Sequence, residues 1–225
     1  MTQPPPYPRI PQLVPGRGTR DDRVVRTVDL ARVLASPVLV EEKLDGANVS
    51  LWAEQGVVLT SLRSGPGSVD RARQLGPLRA WVAERHDPLA SVLSGGLTCY
   101  AEWLLLTHTV PYDRLPSYLV ALDFRRPDGT FLDLAERKQT ADRAGLVLPP
   151  ELWRGVPGEI ARLEALIGTS RYGSRPAEGL VIRREDGCEP RVTKLVRAGF
   201  SPVGNRSWSG VRPRNSLADR EVSWH

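Results

Sequence analysis

Between Pro37 and Leu62 the chain sets short apolar segments against turn signals, and this pattern limits the fold more than any other part does. Pro37-Val38-Leu39-Val40 is an apolar run of strand length. Ala47 to Ala53 then alternates, with Val49 and Leu51 apolar and Asn48 and Ser50 polar, as in a half-buried strand. Glu54-Gln55-Gly56 separates it from a further run, Val57 to Leu62, and such a short glycine-containing connection signals a hairpin. The chain therefore builds antiparallel sheet from its first third onward.

Lys43 stands at the junction of the first two strands, inside Glu41-Glu42-Lys43-Leu44-Asp45-Gly46. Of 31 basic side chains only Lys43, Lys138 and Lys194 are lysine. Arginine stays charged at biological pH, whereas a lysine can be made neutral by its surroundings and is then a nucleophile. By itself Lys43 reads as a solvated strand lysine paired with Glu41 or Asp45. Gly46 is expected to let the backbone turn tightly and to admit a ligand close to it.

The rest of the chain alternates strands and amphipathic helices. Asp29 to Ala35 reads as a short helix capped by Thr27 or Asp29, after a proline-rich opening over residues 1 to 20 that reads as irregular or mobile. Beyond the loop Ser64-Gly65-Pro66-Gly67, Asp70 to Arg85 forms a helix with Leu75, Leu78, Trp81 and Val82 facing the core. Leu97 to Leu106 is a buried strand, and Glu102 within it must find a partner in the protein or a ligand. Thr107 to Leu115 is a loop in which His108 either touches substrate or stabilises the turn. Tyr118 to Asp123 is a strand. Asp133 to Ala144 and Pro157 to Ile167 are surface helices, the second beginning at its proline and burying Ile160, Leu163, Leu166 and Ile167. Glu178 to Arg184 and Arg191 to Arg197 pair around the Asp186-Gly187 turn.

A chain of 225 residues with 40% hydrophobic content can bury a real core, and its net charge of +5 suits a polyanionic partner. Cys99 and Cys188 lack metal-like spacing, and the sequence shows neither a secretory signal nor an apolar run of membrane length. These features point to a reducing cytoplasm and no membrane, and the chain is expected to be a monomer.

Lys43-Leu44-Asp45-Gly46 resembles motif I of the covalent nucleotidyltransferases, which comprise ATP-dependent DNA ligases, RNA ligases and mRNA capping enzymes. The later motifs follow in order: Arg63 in Leu62-Arg63-Ser64-Gly65 is similar to motif Ia, Glu102 in Tyr100-Ala101-Glu102-Trp103 to motif III, Tyr118 to Phe124 to motif IIIa, Glu178 to Ile182 to motif IV and Lys194-Leu195-Val196-Arg197 to motif V. The resemblance spans about residues 37 to 200. It implies an α+β fold with two antiparallel sheets around a nucleotide cleft and helices outside. It divides the chain into an extension over 1–20, an adenylation domain over 21–200 and an Arg/Trp-containing tail over 201–225 with no OB domain. Asn48, two residues after Gly46, favours the RNA ligase branch, where DNA ligases and capping enzymes commonly have arginine.

The resemblance also assigns roles. Lys43 attacks the α-phosphate of ATP, with Glu178 and Lys194 completing the catalytic set. Glu41, Glu42, Leu44, Asp45, Gly46, Asn48, Arg63, Glu102, Leu122, Lys194 and Arg197 bind the nucleotide. Glu102 and Glu178 serve Mg2+ or Mn2+. Leu122 occupies a place where the family commonly has a purine-stacking aromatic, so it offers only apolar contact. Arg63, Lys194 and the metal would lower the pKa of Lys43, while Glu41, Glu42 and Asp45 oppose them. The implied activity is the joining of RNA 3′-hydroxyl and 5′-phosphate ends, including those of a nicked duplex or an RNA/DNA hybrid. A small DNA ligase, another nucleotidyltransferase, or a catalytically silent nucleotide or RNA-end binding protein are the alternatives. In the tail, Arg206, Arg212 and Arg214 are available to phosphates and Trp208 to a base, or else the tail packs on the core; in the first case its removal spares self-adenylation.

Overall fold

The computed structural model describes residues 3–17, 23–63, 69–202 and 212–219, with side chains left aside at 69–73. The loop expected at residues 64–67 and the tail residues Arg206, Trp208 and Trp224 lie outside the described residues. The described chain holds two four-stranded antiparallel sheets with helices, an α+β fold as expected. It divides into two compact units. The first takes residues 1–7, 46–106 and 116–148, the second residues 8–45, 107–115 and 149–225.

In the first unit the sheet runs β3 (Val57–Leu62), β2 (Ala47–Glu54), β4 (Thr98–Trp103), β5 (Leu119–Arg125), packed with α2 (Val69–Glu84), α3 (His86–Leu93) and α4 (Leu134–Arg143). Gln55 and Gly56 both take positive φ and close the β2–β3 hairpin. Leu78, Trp81 and Val82 are buried as their helical spacing predicts, but Gln74 rather than Leu75 joins them. Pro77 lies inside α2, and α3 was not foreseen. The β4 strand ends at Trp103, short of the expected Leu106; Leu104 to Leu106 leave the ladder yet stay buried. Asp133 caps α4 through a complete capping box with Glu136.

In the second unit the order is β6 (Glu151–Gly155), β1 (Val38–Lys43), β7 (Gly179–Arg184), β8 (Val192–Val196). Its core gathers Leu13, Val33, Val38, Val40, Leu163, Leu180, Ile182 and Leu195. Helix α1 (Thr27–Ala35) begins two residues earlier than expected, and neither Thr27 nor Asp29 caps it: Arg26 holds the cap position, and its guanidinium pairs with Asp29 at 2.7 Å. Helix α5 covers only Ile160–Glu164, so Pro157 precedes it; Leu163 is nevertheless fully buried, with Ile160, Leu166 and Ile167 packed beside it. Strand β6 was not anticipated, because Glu151-Leu152-Trp153-Arg154 shows little apolar alternation.

The proline-rich opening is irregular but packed. Tyr7 is buried in the first unit and its hydroxyl donates to Asp123 at 3.0 Å. In the second unit Leu13 N–H donates to the Lys194 carbonyl (2.8 Å) and Lys194 N–H to Pro11 (2.9 Å). This short strap pairs with β8 and covers an edge that would otherwise offer unpaired backbone groups.

Candidate active site

Strand β1 delivers three consecutive charged residues, and alternation decides their roles. Glu41 and Lys43 share one face while Val38, Val40 and Glu42 share the other, which is the core face. Lys43 pairs in register with Gly179 of β7. This brings its Nζ to 2.7 Å from the Glu178 carboxylate, 135 residues away in sequence. The lysine side chain is 22% exposed and the glutamate 10%. Burial pushes the Glu178 carboxyl up from its ordinary value; Lys43 and Lys194 pull it back, and Asp45 adds to the rise. Lys194 lies opposite Val181 on β8, and its charge reaches Glu178.

The close strand pairing rests on Gly179. A Cβ there would strike the carbonyl oxygen of Leu195 and stand 2.8 Å from Val196 Cα, so a side chain would force β7 and β8 apart. Arg197 N–H donates to the Glu178 carbonyl at 2.9 Å, and its Nε donates to Ala177 at 3.1 Å. Arg197, expected on a phosphate, is partly exposed and has its Nε engaged next to Glu178.

Beyond Lys43 the chain is held tightly. Leu44 is buried, so its side chain packs within the protein and only its backbone is left for a nucleotide. Asp45 accepts through Oδ2 from the backbone N–H groups of Thr109 (2.5 Å) and Val110 (2.8 Å), and its own N–H donates to the Tyr112 hydroxyl oxygen at 2.8 Å. Burial raises the Tyr112 phenol well above its ordinary pKa, which keeps it neutral.

In the first unit, Gly46 N–H donates to Glu102 Oε1 at 3.1 Å. Asn48 faces Glu102 across the β2–β4 pair, and its Nδ2 lies 3.5 Å from Glu102 Oε2. Asn48 Oδ1 is buried without a hydrogen-bond partner, an acceptor that a ligand hydroxyl would satisfy. Arg63, directly after β3, donates its N–H to the Asn48 carbonyl (2.9 Å) and keeps its side chain exposed. Gly46 does not take positive φ; its need for glycine is different from the one expected. A Cβ would lie 2.6 Å from both the Trp103 carbonyl oxygen and Leu104 Cδ2. Leu122 is the extra residue of a β-bulge, since Tyr100 opposes Asp123 and Ala101 opposes Ala121. It is partly exposed, and its carbonyl accepts from Arg137 Nε at 2.8 Å.

Glu41 and Glu42, expected at the nucleotide, have their carboxylates engaged within the protein. Glu41 forms an ion pair with Arg183 at 2.7 Å in which both side chains are almost fully buried. Glu42 projects into the core side, where it accepts from Ser170 Oγ (2.5 Å) and Arg171 N–H (2.8 Å); burial raises its pKa. It lines a cavity of about 320 Å3 with Leu152, Leu166, Thr169, Arg171 and Leu180. Among the described residues no group of three or more His, Cys, Asp or Glu side chains is gathered to hold a metal ion. Glu102, in the first unit, and Glu178, in the second, are each engaged by protein groups, Glu102 by Gly46 N–H and Glu178 by Lys43.

The RNA ligase family model matches residues 36–196. The chain belongs to the RNA ligase family. Among solved structures it is similar to the Naegleria gruberi RNA ligase with PPi, at 18% identity and a TM-score of 0.57 over 87% of this chain and 61% of that one. A lysine-to-alanine variant of the same ligase with ATP and Mn gives 17% identity and a TM-score of 0.59, over 87% and 62%. This RNA ligase family member therefore spans about three-fifths of the length of those structures. A search of curated proteins returns no match. Sequence reasoning gave no role to Tyr112, Ser170 or Asn215, which bind Asp45, Glu42 and Thr107. Each works through a hydrogen bond to a residue far away in sequence, which no local pattern signals.

Proposed function

We propose that this RNA ligase family member is an ATP-dependent RNA ligase that joins 3′-hydroxyl and 5′-phosphate ends through a lysyl-AMP intermediate. The observation that carries the reading is the half-buried Lys43–Glu178 pair, an amine against a carboxylate whose pKa burial has raised. A carboxylate so shifted is suited to accept the proton that Lys43 must lose before it attacks.

The reaction then balances in three steps. Lys43 Nζ forms a bond to the α-phosphorus of ATP, the bond to the bridging oxygen breaks and pyrophosphate leaves. A 5′-phosphate oxygen of the RNA attacks the same phosphorus and releases the lysine, leaving an adenylated 5′ end. A 3′-hydroxyl oxygen attacks the 5′-phosphate, and AMP leaves. Lys194 supplies a point charge for the oxygens that gain charge in these steps. Asn48 and Arg63 take nucleotide contacts, Leu122 offers apolar cover to the base, and Glu102 holds Gly46 and Asn48 for them. Glu102 and Glu178 would hold the hydrated Mg2+ or Mn2+, which when bound offsets phosphate charge. The substrate is RNA, the protein acts as a monomer, and two cysteines without a disulfide fit a reducing cytoplasm. Among the described residues no helix is long and apolar enough to cross a membrane.

The test is incubation of the protein with labelled ATP, GTP or NAD+ and a divalent cation. The expected product is an acid-labile adenylate formed from ATP, lost in Lys43→Arg. Labelling that persists in Lys43→Arg rules out the assignment of the nucleophile. Labelling from GTP or NAD+ points to another nucleotidyltransferase, and none at all to a silent binding protein.

A further inference from the structure

The loop that fixes Asp45 is itself fixed by a part of the chain outside the family match. Residues 212–219 run along the 107–115 loop, all within the second unit. Thr107 N–H donates to Pro213, Ser216 N–H to Tyr112, Leu115 N–H to Ser216 and Ala218 N–H to Leu115, at 2.8 to 3.0 Å. At the centre sits Asn215, 3% exposed. Its Oδ1 accepts from the Thr107 hydroxyl at 2.8 Å and from Tyr112 N–H at 2.9 Å. The same Tyr112 receives the N–H of Asp45 on its hydroxyl, while its neighbours Thr109 and Val110 hold the Asp45 carboxylate.

We propose that Asn215 is a positioning residue, and that residues 212–219 form a clamp that sets the 107–115 loop and, through Asp45, the lysine two residues before it. This rests on the reading of Lys43 as the nucleophile, and it reverses the expectation that the tail can be removed without touching adenylation. Arg212, expected on a phosphate, is buried, while Arg214 is exposed. The described part of the tail is spent on the loop. Besides the backbone ladder, Asn215 Oδ1 is the side-chain acceptor that ties both ends of the segment Thr107 to Tyr112, and removing it leaves two buried donors without that oxygen.

The test compares full-length Asn215→Ala with Asn215→Asp, which keeps an accepting oxygen in place. In single-turnover self-adenylation at saturating ATP, the amplitude counts competent molecules and the rate constant reports the placement of Lys43. Asn215→Ala should slow the rate constant about 10- to 100-fold, the scale of a nucleophile misplaced by a fraction of an ångström to an ångström, at nearly unchanged amplitude. Asn215→Asp should stay within about 3-fold of the parent. An alanine variant with the parental rate constant, or one that loses amplitude alone, overturns the proposal. Amide hydrogen exchange supplies an arm independent of the reaction. The N–H groups of Asp45, Thr109 and Val110 should exchange about 10-fold faster or more in Asn215→Ala, with β2 and β4 unaffected. If the parent protein fails to label, the assignment of function is lost and exchange decides the clamp; unchanged exchange at those three amides refutes it.

Discussion

Replacing Gly46 by alanine tests whether the lysine loop owes its placement to close packing. An added Cβ would lie 2.6 Å from the Trp103 carbonyl oxygen, 2.6 Å from Leu104 Cδ2 and 3.1 Å from Glu102 Cγ. Ordinary contact begins at 3.4 Å, so Gly46 and Trp103 must separate by 3.4 − 2.6 = 0.8 Å. Trp103 cannot yield easily, because it is buried, ends β4 and packs edge-on against Trp81 and Tyr118. The displacement therefore falls on the Gly46 side, where it breaks the hydrogen bond to Glu102 and is passed along three residues to Lys43. A shift of that size costs on the order of 100-fold in rate when it reaches a reacting atom, and the overpacking itself costs about 1–3 kcal/mol. Single-turnover adenylation with Gly46→Ala, normalised by burst amplitude, measures the first, and urea unfolding the second. A variant that labels within about 3-fold of the parent while losing the expected stability would show that the strain is absorbed before it reaches the lysine.

Glu41→Ala removes one partner of a buried ion pair and should lower unfolding free energy by about 3–5 kcal/mol in urea, against about 0–1 for a surface pair such as Lys138–Asp142. Glu178→Ala and Lys194→Ala should fold yet lose adenylation by about 100-fold or more; labelling at the parental rate would assign either residue to structure. Glu42 and Glu178 both have folded-state pKa values above the ordinary 4.5, so the native chain keeps their protons longer than the unfolded chain does. Their contribution to stability is fully present below that value and is lost as pH rises through the raised ones. Glu42→Gln should flatten the fall in melting temperature on the alkaline side of 4.5, and an unaltered pH profile would refute the linkage.

Much of the fold was legible because its strands are short, alternating and punctuated by turn residues. Val49 and Leu51 are buried where the period of two put them, and Gln55-Gly56 closes the hairpin that a glycine-containing connection signals. The misses have local causes. Helix α5 stops short because its apolar residues can reach the core from a bend as well as from a helix, and β6 hides because its pairing with β1 is read from hydrogen bonds rather than side chains. Gly46 was expected to be glycine for its conformational freedom, but the reason is a close contact with the Trp103 carbonyl at the end of β4. The tail looked like a strand-gripping element by charge, and Asn215, uncharged and unremarked, organises its described part.

The run Glu41-Glu42-Lys43 shows where sequence reasoning stops. Three adjacent ionisable residues beside a glycine look like one cluster, and they would be one on an irregular loop. On a strand, the alternation of faces separates them at once, sending Glu42 into the core with Ser170 while Glu41 and Lys43 share the other side. Those two then part again, because β7 offers a different partner at each step of its register. Arg183, two residues beyond Val181, neutralises Glu41, and Glu178, one before Gly179, receives Lys43. The Glu41–Arg183 pair thus neutralises inside the protein a carboxylate that the sequence sets two residues from Lys43.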